Sequence, residues 1–277
     1  LALASHRFSG RRNHKNRWKL TRHVIKVATP QFSITPFSGF AMHRLPMLIL
    51  LAFLPCTSAV AANPWIPLTH GDSLEAWTTI KGDPVTRGWH IADSVLEMDP
   101  TVERGGNILS KREFGNFELV FEWRSSIRGN SGIKYRVKSF DGRILGCEYQ
   151  MLDDSASPDS PADRLTASLY DVYDRKSGAT LNPPGEFNHG RIVVCGNRIQ
   201  HWLNGCLVVD ACVGSSEWNK NIADSKFSDV DGFGRNHSGY IMLTDHNSQI
   251  AFRNVYVREL PSRSTPSKFR IFRRFRR

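Results

Sequence analysis

Neither end of this 277-residue chain carries an acidic residue: positions 1 to 61 hold nine Lys/Arg and no Asp or Glu, and positions 261 to 277 hold seven and none. The formal net charge of +11 belongs to these ends, because positions 62 to 260 carry 21 basic against 26 acidic residues, a net −5. A mildly acidic body argues against nucleic-acid binding, which needs positive charge concentrated on a folded face. A neutral or polar ligand suits it better. Also missing are GxGxxG, a P-loop, CxxC and HExxH, so dinucleotide, P-loop phosphate, dithiol and zincin chemistry lack their signatures. The GNSG at 129–132 precedes a strand pattern rather than a helix and is too short to cradle a phosphate. No serine sits in an elbow motif, which leaves a Ser-His-Asp hydrolase without support.

Apolar runs are short. The stretch MHRLPMLILLAFLPCTSAVA at 42–61 has a basic start at His43 and Arg44, an apolar run from Leu45 to Pro55, and Ala59-Val60-Ala61 as a small-x-small cleavage site. That is the form of a secretory signal, and its apolar run falls short of the roughly 20 residues that span a bilayer. The expectation is an exported protein, periplasmic or extracellular, translated from Met42, with the basic 41-residue stretch before it outside the true protein. N-terminal sequencing of the exported product distinguishes this from a retained presequence. The tail at 261–277, PSRSTPSKFRIFRRFRR, reads as basic and disordered, with Arg-Phe interleaving suited to electrostatic contact with an anionic membrane or lipopolysaccharide.

Cysteine is scarce, and four of the five lie beyond the signal: Cys147, Cys195, Cys206 and Cys212. Export permits disulfides, but the turn signals Gly196-Asn197 and Asn204-Gly205 make Arg191–Cys195, Arg198–Leu203 and Cys206–Cys212 a three-strand meander. Cys195 and Cys206 then fall on opposite faces, and Cys206 and Cys212 lie about 20 Å apart at roughly 3.3 Å per residue. Small buried thiols are the expectation.

Helical periodicity is nearly absent, while alternation is everywhere. In NFELVFEWR at 116–124, Phe117, Leu119, Phe121 and Trp123 share one face and Glu118, Glu122 and Arg124 the other, the mark of a half-buried antiparallel strand. Further strands are expected at 89–91, 95–98, 107–110, 132–137, 145–152, the meander, 239–244 and 250–259. About a dozen short strands without crossover helices, over positions 65 to 260, predict an all-β, two-sheet jelly-roll sandwich. Asp153–Leu165 and Asp174–His189 read as long loops, and 217–237 as irregular with room for a short helix.

Alternation also sorts the candidate site residues. Lys134 and Arg136 share a face opposite Ile133, Tyr135 and Val137, and Glu148 shares a face with Gln150. If those strands are neighbours, their polar faces make a patch able to grip a polyol, against the alternative of a solvated sheet face. His201, opposite Ile192 and Val208, reads as a satisfied core histidine. His246 follows Asp245 at a strand end, where an imidazole can act as a base or a metal ligand. Tyr170 and Tyr173 suit stacking on a sugar ring.

Taken together, IPLTHGDSLEAW (66–77), GWHIADSVLEM (88–98), FGNFELVFEWR (114–124), GNSGIKYRV (129–137), GCEYQMLDD (146–154), LYDVY (169–173), GEFNHGRIVVCGNRIQHWLNG (185–205) and TDHNSQIAFRNVYVREL (244–260) resemble the 3-keto-disaccharide hydrolase family. The resemblance implies a concanavalin-like jelly roll with a sugar-binding face and cleavage of glycosides oxidised to a ketone at C3. Removal of the acidified C2 proton and loss of the C1 substituent give a glycal, which water then hydrates. On this resemblance His246, Glu148 and Lys134 are catalytic, and Gln150, Tyr170, Arg124, Asp245, Glu122 and His201 bind substrate. A divalent ion on Glu148 and His246 is compatible with the same chemistry. Asn247-Ser248 stands where relatives favour a Gly-rich turn. The competing class is a noncatalytic carbohydrate-binding module, which needs the aromatics but not His246 or Lys134.

Overall fold

The computed structural model describes residues 63–101 and 103–261, so the basic stretch, the expected signal sequence and all but the first residue of the tail lie outside the described residues. The strands are β1 (Ile66–Pro67), β2 (Trp77–Thr79), β3 (Trp89–Ala92), β4 (Val95–Met98), β5 (Ile108–Phe114), β6 (Phe117–Ser125), β7 (Asn130–Phe140), β8 (Arg143–Leu152), β9 (Asn188–Cys195), β10 (Arg198–Leu203), β11 (Cys206–Cys212), β12 (Gly239–Leu243) and β13 (Ile250–Glu259). The α-helix α1 (Ser216–Ala223) is capped by Ser215, whose hydroxyl accepts from the Trp218 amide at 3.1 Å. Among the described residues no helix is long and apolar enough to cross a membrane.

Two antiparallel sheets pack as a sandwich of the concanavalin-like jelly-roll type. The larger has eight strands in the order β11-β10-β9-β6-β13-β4-β3, with β1 also paired to β13; the smaller runs β2-β5-β12-β7-β8. Phe117, Leu119, Phe121 and Trp123 of β6 all lie at or below 2% exposure and meet Ile133, Tyr135, Tyr149 and Met151 of the smaller sheet in one core. The period of two in β6 is thus the cause of its central place. β1 and β2 escape sequence reading because two or three residues cannot display alternation.

Bulges change the faces that simple alternation assigns. Pairing of β7 with β8 shifts between Tyr135 and Lys138, and Arg136 adopts φ 49°. Val137 consequently leaves the main core and packs on the outer face of the smaller sheet with Leu109 and Met242. Arg136 does not join Lys134: its Nε donates to the Gly115 carbonyl at 3.1 Å. The meander forms at both expected turns, but a bulge between His201 and Trp202 sets His201 opposite Val209 rather than Val208. The four cysteines are free, yet of the expected buried thiols Cys147 alone is fully buried, its pKa pushed up to about 12 chiefly by desolvation; Cys195 is half-buried, and Cys206 and Cys212 are exposed.

Candidate functional site

Register places Lys134 of β7 directly opposite Glu148 of β8, and Gly132 opposite Gln150. The Lys134 ammonium lies 3.6 Å from the Glu148 carboxylate, and both side chains are largely buried, at 18% and 6% exposure. Gly132 is what allows this. A Cβ there would meet Glu148 Oε1 at 2.3 Å, so the carboxylate lies across the bare backbone of the neighbouring strand. Met242 of β12 faces Lys134, and with Leu109 and Val137 it supplies an apolar surface beside the charges. Gln150 is nearly buried and its Oε1 accepts from the Met151 amide at 3.2 Å.

Tyr170 arrives from a segment that runs along the free edge of β8. The Tyr170 amide donates to the Glu148 carbonyl at 3.1 Å, and the Ala167 amide to the Gln150 carbonyl at 2.8 Å. Its phenol is held above its ordinary pKa, first by desolvation. The Lys226 ammonium stands 4.0 Å from the Tyr170 ring centroid. Asp171 fixes both: its carboxylate accepts from Arg164 at 2.6 and 2.9 Å and from the Lys226 amide at 2.7 Å. Burial holds the Lys226 ammonium below its usual pKa, with Glu148 pulling the other way and Lys134 adding to the depression.

His246 follows β12 at the rim. It is exposed, yet the atoms crowding its ring desolvate it enough to lower its pKa, with Glu148 opposing and Lys134 reinforcing the shift. Lys134, Glu148, Lys226 and His246 therefore sense one another on one face. Asn247 takes φ 61°, a left-handed conformation that asparagine tolerates, and so performs the turn expected of glycine.

Other expected site residues go elsewhere. Asp245 makes no hydrogen bond to His246: its buried carboxylate accepts from Arg104 Nε at 3.1 Å and from the amides of Gly106 and Asn247 at 2.8 Å each, bracing the rim. His201 is fully buried between the sheets and cannot touch a substrate. Glu122 and Arg124 face outward from the larger sheet, away from Lys134: Glu122 pairs with Arg253 and Asn254, and Arg124 lies 5.0 Å from the Phe187 ring. Tyr173 packs in the core near Trp218. Lys226, Asp171 and Arg164 were missed. Asp171 lay inside the family-like LYDVY, but no periodicity marks Lys226 in its irregular segment.

Glu148 and His246 are the metal-ligand types present at the face, but two ammonium groups flank them. Among the described residues no three His, Cys, Asp or Glu side chains gather in a way that could hold a metal ion. This donor set does not fit a resident divalent ion.

A sandwich of two antiparallel sheets in this strand order places the chain among the concanavalin-like jelly rolls. The profile of the 3-keto-α-glucoside-1,2-lyase-like domain family matches residues 64–258. A 3-keto-disaccharide hydrolase of Bacteroides thetaiotaomicron is 30% identical over 233 residues, covering 73% of this chain and 80% of the relative. The chain belongs to this family and is an enzyme of it. Two crystal structures from Parabacteroides distasonis, provisionally named glycosyl hydrolases, share the fold with TM-scores of 0.64 and 0.59. Each is 24% identical, and they cover 71% and 72% of this chain and 94% and 100% of their own.

Proposed function

We propose that this protein cleaves 3-keto-glycosides by eliminating the C1 substituent after loss of the C2 proton, and that hydration completes net hydrolysis. The observation that carries this reading is the gathering of an imidazole with lowered pKa, two ammonium groups and one carboxylate beside the Tyr170 ring. A ring nitrogen of His246 takes the C2 proton, and the electron pair flows toward the C3 oxygen. Lys134 and Lys226 stabilise the enediolate charge. As the C3 carbonyl re-forms, a C1–C2 double bond forms and the C1–O bond breaks. The departing oxygen takes a proton from Lys226. Water then adds: its oxygen bonds to C1, Glu148 passes its proton to Lys226, and the imidazolium of His246 returns a proton to C2. Tyr170 and Gln150 orient the sugar.

The test is to incubate the full chain with 3-keto-glucosides bearing hydrogen or deuterium at C2. Aglycone release confined to the oxidised sugar, with slower turnover of the deuterated substrate, is the expected result. Equal release from unoxidised glycosides would remove the proposal.

Gly132→Ala tests the positioning of Glu148. Nothing in the backbone forbids alanine there, but the carboxylate must swing away from the new methyl. A displacement of this order is expected to cost up to about 10²-fold in kcat/KM with melting temperature little changed. Full activity in the variant would mean that the position of Glu148 is immaterial.

A further inference from the structure

We propose that the outer face of the larger sheet carries a second, noncatalytic site that binds a neutral saccharide, in the groove between Trp202 and Tyr256. Cross-strand register lays Trp202, Arg191, Val120 and Tyr256 in one row over β10, β9, β6 and β13. The groove along this row encloses about 470 Å³, within the range of roughly 300–1,000 Å³ typical of small-molecule sites. Both rings are half-buried, so each keeps part of its surface open, and the Arg191 guanidinium lies 4.9 Å from the Trp202 ring. A bulge in β13 between Arg253 and Tyr256, with Asn254 at φ 51°, turns the Asn254 amide toward Glu122 at 2.8 Å. Asn254 and the exposed His189 thus form a polar wall beside an aromatic and aliphatic floor.

The charge pattern selects the ligand class. Arg191 donates to Glu118 at 2.5 Å, a carboxylate that also accepts from Arg258 at 2.7 Å, and Arg253 donates to Glu122 at 2.7 Å, so each guanidinium beside the groove is already paired. An anionic or cationic ligand would have to break those pairs, whereas a polyol adds hydrogen bonds to the amide, imidazole and carboxylate already present. The apolar face of a pyranose matches Val120 and Tyr256, with the Arg191 guanidinium and the Trp202 ring beneath it continuing the row. Strand addition by a partner protein is closed off here, because β6, β9 and β13 are interior strands paired on both sides. The groove shares no residue with the Lys134 face, so this inference stands or falls apart from the proposed reaction.

The test is a nuclear magnetic resonance titration of the isotopically labelled full chain with maltotriose, cellotriose and trehalose. The expected result is a saturable shift of the Trp202 indole N–H and the Asn254 amide with at least one of these sugars, retained in Lys134→Ala. Tyr256→Ala should weaken binding by about tenfold or more, as for an aromatic anchor. Asn254→Gly keeps a residue suited to the left-handed backbone while deleting the amide, and gives a second measure should Tyr256→Ala perturb the fold. No shift with any of the three sugars, or shifts abolished by Lys134→Ala, would overturn the proposal.

Discussion

Replacing His246 by alanine is expected to lower kcat on a 3-keto-glycoside by about 10²–10⁴-fold, the usual contribution of a positioned general base, while the sandwich stays folded. The fold should survive because His246 is exposed at the rim, and Asp245, not His246, makes the bonds that hold that rim: Arg104 Nε at 3.1 Å and the Gly106 and Asn247 amides at 2.8 Å. The pH profile sharpens the test. Desolvation, reinforced by Lys134, lowers the imidazole pKa below its ordinary 6.5 against the opposing pull of Glu148. The neutral, proton-accepting form therefore persists below pH 6.5, and the acid limb of kcat/KM should lie on the acid side of that value. In His246→Ala the residual rate should lose that limb. A variant with wild-type kcat, or an acid limb unchanged by the substitution, would take the base assignment away from His246.

The second large effect concerns stability. His201 is fully buried, its Nδ1 is 3.1 Å from the Ala167 carbonyl and its Nε2 2.8 Å from the Tyr135 hydroxyl. A carbonyl only accepts, so Nδ1 carries the proton and Nε2 accepts from the tyrosine. This neutral ring ties β10 of one sheet to β7 of the other with both nitrogens satisfied. Burial lowers its pKa to about 4, against about 6.5 in the unfolded chain. Between those values the unfolded state binds a proton that the folded state does not, so stability is full above pH 6.5 and falls as pH drops toward 4. At 1.36 kcal/mol per unit the loss reaches about 3 kcal/mol. Carboxylates whose folded pKa values are lowered, such as Glu113, Glu122 and Asp210, act in a more acidic window because their unfolded values are near 4. Denaturant melts at pH 7.5, 5.5 and 4 should show the decline in the wild type and a flatter profile over that interval in His201→Gln, whatever its stability at pH 7.5. Identical slopes in the two proteins would show that His201 does not titrate on unfolding.

The strands legible in the sequence are those long enough to alternate. β6, β11 and β13 fall where the spacing of Phe, Leu, Trp and Val puts them, and the meander turns at Gly196-Asn197 and Asn204-Gly205 because those pairs tolerate the required backbone. Within the site, Lys134, Glu148 and Gln150 were legible as one polar face. Alternation fixes which residues point together, and β7 and β8 are hairpin neighbours in the chain. Lys226 was not, since its place over Tyr170 depends on the Asp171 carboxylate gripping its amide from a segment 55 residues away.

The same limit explains the residues that moved. Alternation states that Glu122 and Arg124 point away from the core, but not which sheet they leave from. β6 pairs with β9 and β13 in the larger sheet, which puts them across the sandwich from Lys134. Val137 changed face because one extra residue at Arg136 resets a period of two. The sequence by itself determined an all-β sandwich, its principal strands and the family, since these rest on local periodicity and on the order of motifs. The tertiary structure alone decided which charged groups share a face, that Asp245 braces the rim, and that His201 ties the sheets together. Those are consequences of long-range pairing and bulges, which no local pattern encodes.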